Sequence, residues 1–231
     1  MDAWPWWWAA RAEVCAVGRD PAALADTAAA LQTLGRRGLG YRADVTDEAQ
    51  VEAMVRFVVE TYGRLDILVN SQGIVHLQPI EEFDAEAWKR VMDVNVKSVF
   101  LCCKHAARVM LAQGKGKIIN ISSVRAFQGR VNDAAYAPSK GAVNQLTHSM
   151  AIEWGPRGIN VNALAPVFTR TAMAAPQLDN PQTRAWILSR IAMKRPGELD
   201  DLFGPIVFLA SDASNFVNGH VLVVDGGWLA T

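Results

Sequence analysis

Leu65-Asp66-Ile67-Leu68-Val69 is a short, almost wholly apolar run, with Gly63 before it and Asn70-Ser71-Gln72-Gly73 after it. Apolar character on both faces is the mark of a buried parallel strand, since a strand with one wet face alternates. The same kind of unit recurs on both sides. Upstream, Glu13 to Val17 reads as a strand ending at Gly18, and Pro21 opens a helix that stops near Gly35. Leu39 to Ala43 is a second strand, after which Thr46 or Asp47 caps a helix running to about Tyr62.

Downstream, a helical region from Glu86 to Gln113 leads to a strand at Lys117 to Ile121, a helix over about Ala134 to Trp154 and a strand near Asn160 to Leu164. A helix from about Glu198 to Leu209 and a strand at Val221 to Val224 close the chain. Between them, Thr169 to Met193 carries two prolines and reads as a mobile flap that would set specificity. Repeated strand–helix alternation predicts an α/β fold, a doubly wound parallel sheet of Rossmann type. Neither linkers nor repeats interrupt it, so residues 1–231 read as a single domain.

Composition narrows the function. The 231 residues are 51% hydrophobic and 20% charged, which is ordinary globular usage. Twenty-three basic residues balance 23 acidic ones without a run of either sign, so no nucleic-acid or membrane-surface footprint is expected. No apolar stretch is long enough to span a bilayer, and Asp2 and Pro5 break the start, against a signal peptide. Three cysteines, two of them adjacent, form no disulfide framework, which suits a reducing cytoplasm. The four histidines are scattered, so no metal site is expected.

The chemistry concentrates in Tyr136-Ala137-Pro138-Ser139-Lys140 at a helix start. Residues four apart share a helix face, so phenol and ammonium can point into one cleft. A unit charge about 4 Å away at an effective dielectric near 20 favours phenolate by about 4 kcal/mol. That is roughly three pKa units, enough to bring tyrosine into general acid–base range. The spacing alone is weakly specific. Ser123, at the end of the Lys117–Ile121 strand, adds a hydroxyl where open α/β sheets bind ligands. Asn95, in Val94-Asn95-Val96, is a polar amide among apolar residues and needs a partner.

Together with Asp44-Val45, Asn70-Ser71-Gln72-Gly73, Pro166 with Thr171, and the tail Val224-Asp225-Gly226-Gly227, these motifs resemble the short-chain dehydrogenase/reductase family from about Ala12 to the C-terminus. The resemblance implies a tetrad of Asn95, Ser123, Tyr136 and Lys140. Tyrosine would be the acid–base, serine would orient substrate, lysine would bind the nicotinamide ribose, and asparagine would hold a relay water. It also implies cofactor contacts at Asp44, Val45, Asn70, Gly73, Thr169 and Thr171. Arg19 follows Gly18 where NAD-using relatives often carry an acidic residue. A guanidinium there favours NADP over NAD. The implied substrate is a small alcohol or carbonyl compound, and the tail from Ser211 to Trp228 looks most like sugar-acid and polyol dehydrogenases. Alanine-rich faces on the Glu86 and Ala134 helices and the Asp225-Gly226-Gly227-Trp228 tail are expected to pack against other subunits in a homodimer or homotetramer.

Three features depart from the family pattern. The family's first strand and glycine-rich phosphate turn are expected to be lacking, since residues before Glu13 show only Trp4-Pro5-Trp6-Trp7-Trp8 and its flanks. Shifted by one base, the codons of that segment read in the form Val-Ala-Val-Val-Val-Gly, the pattern of a strand entering a glycine turn. The start is then either out of frame or a genuine short start whose tryptophans cover exposed core, and the second case implies a catalytically inactive chain with a structural or oligomer-forming role. Gln72 is expected to narrow the cofactor wall. Val167, at a place usually taken by glycine, would be strained if positive φ is required there.

Overall fold

A computed structural model of the chain describes residues 12–33, 35 and 37–231. The Trp-rich segment therefore lies outside the described residues. Within them, strands and helices alternate in the predicted order: β1 (Val14–Gly18), α1 (Pro21–Thr33), β2 (Gly38–Arg42), α2 (Glu48–Tyr62), β3 (Ile67–Asn70), α3 (Ala85–Met92), α4 (Ser98–Gln113), β4 (Gly116–Ile121), α5 (Tyr136–Trp154), β5 (Ile159–Pro166), α6 (Ala175–Leu178), α7 (Pro181–Arg190), α8 (Asp200–Ala210) and β6 (Val221–Val224). Every strand pairing is parallel. The fold is the expected α/β Rossmann-like architecture.

Side-chain alternation along the strands explains the layers. Ile118 packs with Val99, Cys103, Met110, Val143 and Val161 under α4 and α5. Its neighbour Ile119 points the other way, with Leu164, to meet Leu202, Ile206 and Leu209 of α8. Helix ends follow local chemistry: Asp47 caps α2 by accepting from the amides of Ala49 and Gln50 at 2.9 and 3.3 Å. Gly38 lets α1 lie directly on β2, because a Cβ there would collide with Leu31.

Among the described residues the strands fall into two sheets, β1-β2 and β3-β4-β5-β6. β4 is buried almost throughout, whereas β1 is half-exposed, with Val17 37% accessible.

Two expectations about the C-terminal third need correction. The proline-bearing stretch forms two helices, and Leu178, Ile187 and Ile191 pin it to a core shared with Val124 and Trp228. Trp228 itself, expected at a subunit contact, is 1% exposed within its own chain. Its indole meets Trp186 edge-on at 5.6 Å and donates to Gln128 Oε1 at 2.9 Å. The tail turns inward because Asp225 accepts from the amides of Gly227 and Leu229, both at 2.8 Å, and Gly226 and Gly227 adopt positive φ.

Candidate active site

The predicted long helix from Glu86 to Gln113 is broken by one wide π turn, Asp93–Lys97, with Asn95 fully buried at its centre. Such turns redirect a side chain out of the regular helical array. Asn95 Oδ1 accepts from the Ile74 amide at 2.8 Å, while Nδ2 donates to the Ile74 carbonyl at 2.9 Å and to Ser139 Oγ at 3.0 Å. The amide thus finds its partners: it clamps the loop after β3 to the first turn of α5.

That first turn carries Tyr136 and Lys140. The Lys140 Nζ donates to the Ile121 carbonyl at 2.7 Å, at the end of β4, and lies over the Tyr136 ring, 5.7 Å from its centroid. Two residues beyond Ile121, the Ser123 hydroxyl lies close enough to the Tyr136 phenol to pull its pKa down, and accepts from the Arg125 amide at 3.2 Å. Ser123, Tyr136, Lys140 and Asn95 are therefore gathered at the C-terminal ends of β3 and β4, where open parallel sheets form their ligand crevice.

The electrostatics differ from the sequence expectation. Burial dominates at both groups. It holds the Tyr136 phenol above its ordinary pKa, with the Ser123 hydroxyl pulling the other way, and brings Lys140 down to about 8. A low-pKa phenol was expected from an ammonium beside the hydroxyl. Here the ammonium sits over the ring and is committed to a backbone carbonyl, and desolvation wins.

The other expected residues divide. Gly73 lies against the site: a Cβ there would stand 3.6 Å from both Asn95 Oδ1 and Lys140 Nζ, in ordinary contact with them. Arg19 is exposed just past β1, and its charge lowers the Asp44 carboxyl after the larger effect of the Thr46 hydrogen bonds. Asp44 accepts from Thr46 N and Oγ1 at 2.9 and 2.7 Å and so shapes the turn after β2 that includes Val45. Asn70 points into the core, donating to Asn120 Oδ1 at 2.8 Å. The Thr169 hydroxyl donates to the Val167 carbonyl at 3.1 Å, and Thr171 Oγ1 accepts from the Ala174 amide at 3.4 Å.

Gln72 turns to donate to Ser98 Oγ at 3.0 Å, and Val167 is not among the residues with positive φ. Sequence reasoning missed Arg125 and Asp133, a buried pair with Nε 3.4 Å from Oδ2, which flanks Tyr136. The available signal was a charge inside the otherwise apolar Val124-Arg125-Ala126-Phe127.

Comparison with known proteins identifies the family. Residues 8–229 match the family described as Enoyl-(Acyl carrier protein) reductase. The 2-dehydro-3-deoxy-D-gluconate 5-dehydrogenase of Bacillus subtilis is 44% identical over 201 residues, 86% of this chain and 79% of that protein. The gluconate 5-dehydrogenase of Gluconobacter oxydans is 38% identical over 94% of this chain and 84% of its own length. Among solved structures, a gluconate 5-dehydrogenase from Burkholderia cenocepacia in complex with NADP and tartrate superposes with a TM-score of 0.92 at 37% identity, covering 95% of this chain and 86% of that one. The chain belongs to the short-chain dehydrogenase/reductase family.

Proposed function

We propose that this chain is an NADP-dependent oxidoreductase that interconverts an alcohol and a carbonyl on a sugar acid. One observation carries the reading: the Ser123–Tyr136 hydroxyl pair, with Lys140 over the ring, at the C-terminal edge of the parallel strands. The names of the gluconate-type relatives support the substrate class.

The residues fit a dinucleotide at its two ends. Arg19 and the Asp44-Val45 turn suit an adenosine bearing a 2′-phosphate, with the backbone turn from Asn70 to Gly73 beside it, while Thr171 suits the carboxamide region and Thr169 is a further contact. Lys140 beside the bare Gly73 suits the nicotinamide ribose. The bound nicotinamide supplies the hydride donor or acceptor. This chain's own residues handle the proton and the positioning. Ser123 holds the substrate oxygen against Tyr136. In carbonyl reduction the phenol gives its proton to that oxygen; in alcohol oxidation the phenolate takes it. Asn95 fixes the wall of the site and is the assigned holder of a relay water. The setting is a cytoplasmic homodimer or homotetramer acting on a small molecule, without nucleic acid or membrane partners.

A second reading is a chain that keeps the fold without turnover. Steady-state assay of the purified chain with gluconate and each oxidised nicotinamide separates the two. Reduced cofactor forming faster with NADP supports the first reading; no turnover and no cofactor binding support the second.

A further inference from the structure

A cavity of about 620 Å³ opens against Trp186 and Trp228. Arg125 links it to the Ser123–Tyr136 pair: it follows Ser123 by two residues, lines the cavity, and its charge acts on the phenol. Arg130 and Arg190 also line the cavity, and none of its lining residues is acidic. Arg190 is held between ring faces, and Arg130 by a ring face and by donating to Gln177 Oε1 at 3.0 Å. Arg190 sits over Trp228 at 5.1 Å and over Trp186 at 5.9 Å, and Arg130 sits over Trp186 at 5.7 Å.

Two guanidinium atoms in this cluster, Arg125 Nη2 and Arg190 Nε, are buried without any hydrogen-bond partner. Arg125 is only 8% exposed, and Asp133 engages its Nε at 3.4 Å, leaving the Nη2 side unmet. Buried donors are nearly always paired, so two orphans on two arginines of one cavity call for an acceptor that arrives from outside. A carboxylate, planar and with two oxygens, matches guanidinium donors far better than a neutral hydroxyl does.

We infer that this cavity takes the carboxylate of the substrate, with Arg125 and Arg190 as its hydrogen-bond donors and the indoles of Trp186 and Trp228 against the carbon chain. The inference rests on the sugar-acid reading above and deepens it. It makes the site select acids over the corresponding polyols, because a neutral ligand leaves the buried N–H groups unpaired.

Titration calorimetry of the whole chain with D-gluconate and with sorbitol tests this. Gluconate is expected to bind saturably and sorbitol at least about tenfold more weakly. Arg190→Gln is expected to cost gluconate about tenfold or more while moving sorbitol by less than about twofold. Arg125→Lys keeps the charge beside Asp133 but loses the fork, and it serves as the second variant, with thermal unfolding to establish that each is folded. Equal losses for both ligands, or unchanged gluconate affinity in both variants, overturn the inference. Arginine-dependent gluconate binding without turnover upholds the cavity and removes the proposed reaction; turnover indifferent to both arginines does the reverse.

Discussion

The ammonium of Lys140 lies over the ring of Tyr136, 5.7 Å from its centroid, while it donates to the carbonyl of Ile121. Held this way, with burial acting on both groups, the phenol keeps its proton at neutral pH and the lysine titrates near 8. A protonated phenol is the form that carbonyl reduction needs; alcohol oxidation needs the phenolate. The two directions are therefore expected to have opposite pH dependence. kcat/KM for gluconate oxidation should rise as pH increases above neutrality, and kcat/KM for reduction of the keto acid should stay level until pH reaches the raised pKa of the phenol and fall only beyond it. Profiles that run parallel in both directions would contradict this assignment.

The same lysine affects stability. Its folded pKa of about 8 is below the ordinary 10.5, so between those values the unfolded chain binds the extra proton. Stability of the ligand-free protein therefore rises with pH across that window, and at neutral pH the buried ammonium costs up to about 3 kcal/mol. Lys140→Met is expected to be at least as stable as the parent at pH 7 and to lose this rise. Urea midpoints measured from pH 7 to about 10 read it out.

Arg19 is exposed and free to meet a phosphate, with Asp44 engaged by Thr46. Arg19→Gln should lower kcat/KM with NADP by about 10- to 100-fold, the worth of a charge-assisted hydrogen bond. The value with NAD should change by less than about threefold. Equal losses with both cofactors would assign the arginine a structural role.

Trp228 is the keystone of the cluster that seats α6 and α7. Trp228→Ala should destabilise the chain by about 3–5 kcal/mol through the cavity it leaves. Chemical denaturation with unchanged m value would show this, and proteolysis within residues 169–193 should accelerate.

Much of the fold was legible because strand burial and helix periodicity are local. Ile118 and Ile119 reveal the two faces of the sheet from adjacent positions, and the runs around Leu68 and Val161 were placed within a residue or two of β3 and β5. What escaped depends on packing between distant segments. No local pattern announces the π turn that aims Asn95 at Ile74 and Ser139, since its residues are otherwise helical. The inward turn of Trp228 requires Trp186 and Gln128 as partners, and the raised phenol pKa requires knowing how deeply Tyr136 is buried. The Tyr136–Lys140 spacing could indicate a shared face but not which atom of the ring the ammonium would meet.

The most direct test of the account is a paired measurement on the parent chain and Tyr136→Phe: NADPH binding by fluorescence titration, and turnover with gluconate and NADP. The account predicts saturable binding with similar affinity in both proteins and a loss of about 10²–10⁴ in kcat for the phenylalanine variant. Turnover retained without the phenol, or a parent chain that binds no cofactor at millimolar concentration, would contradict it.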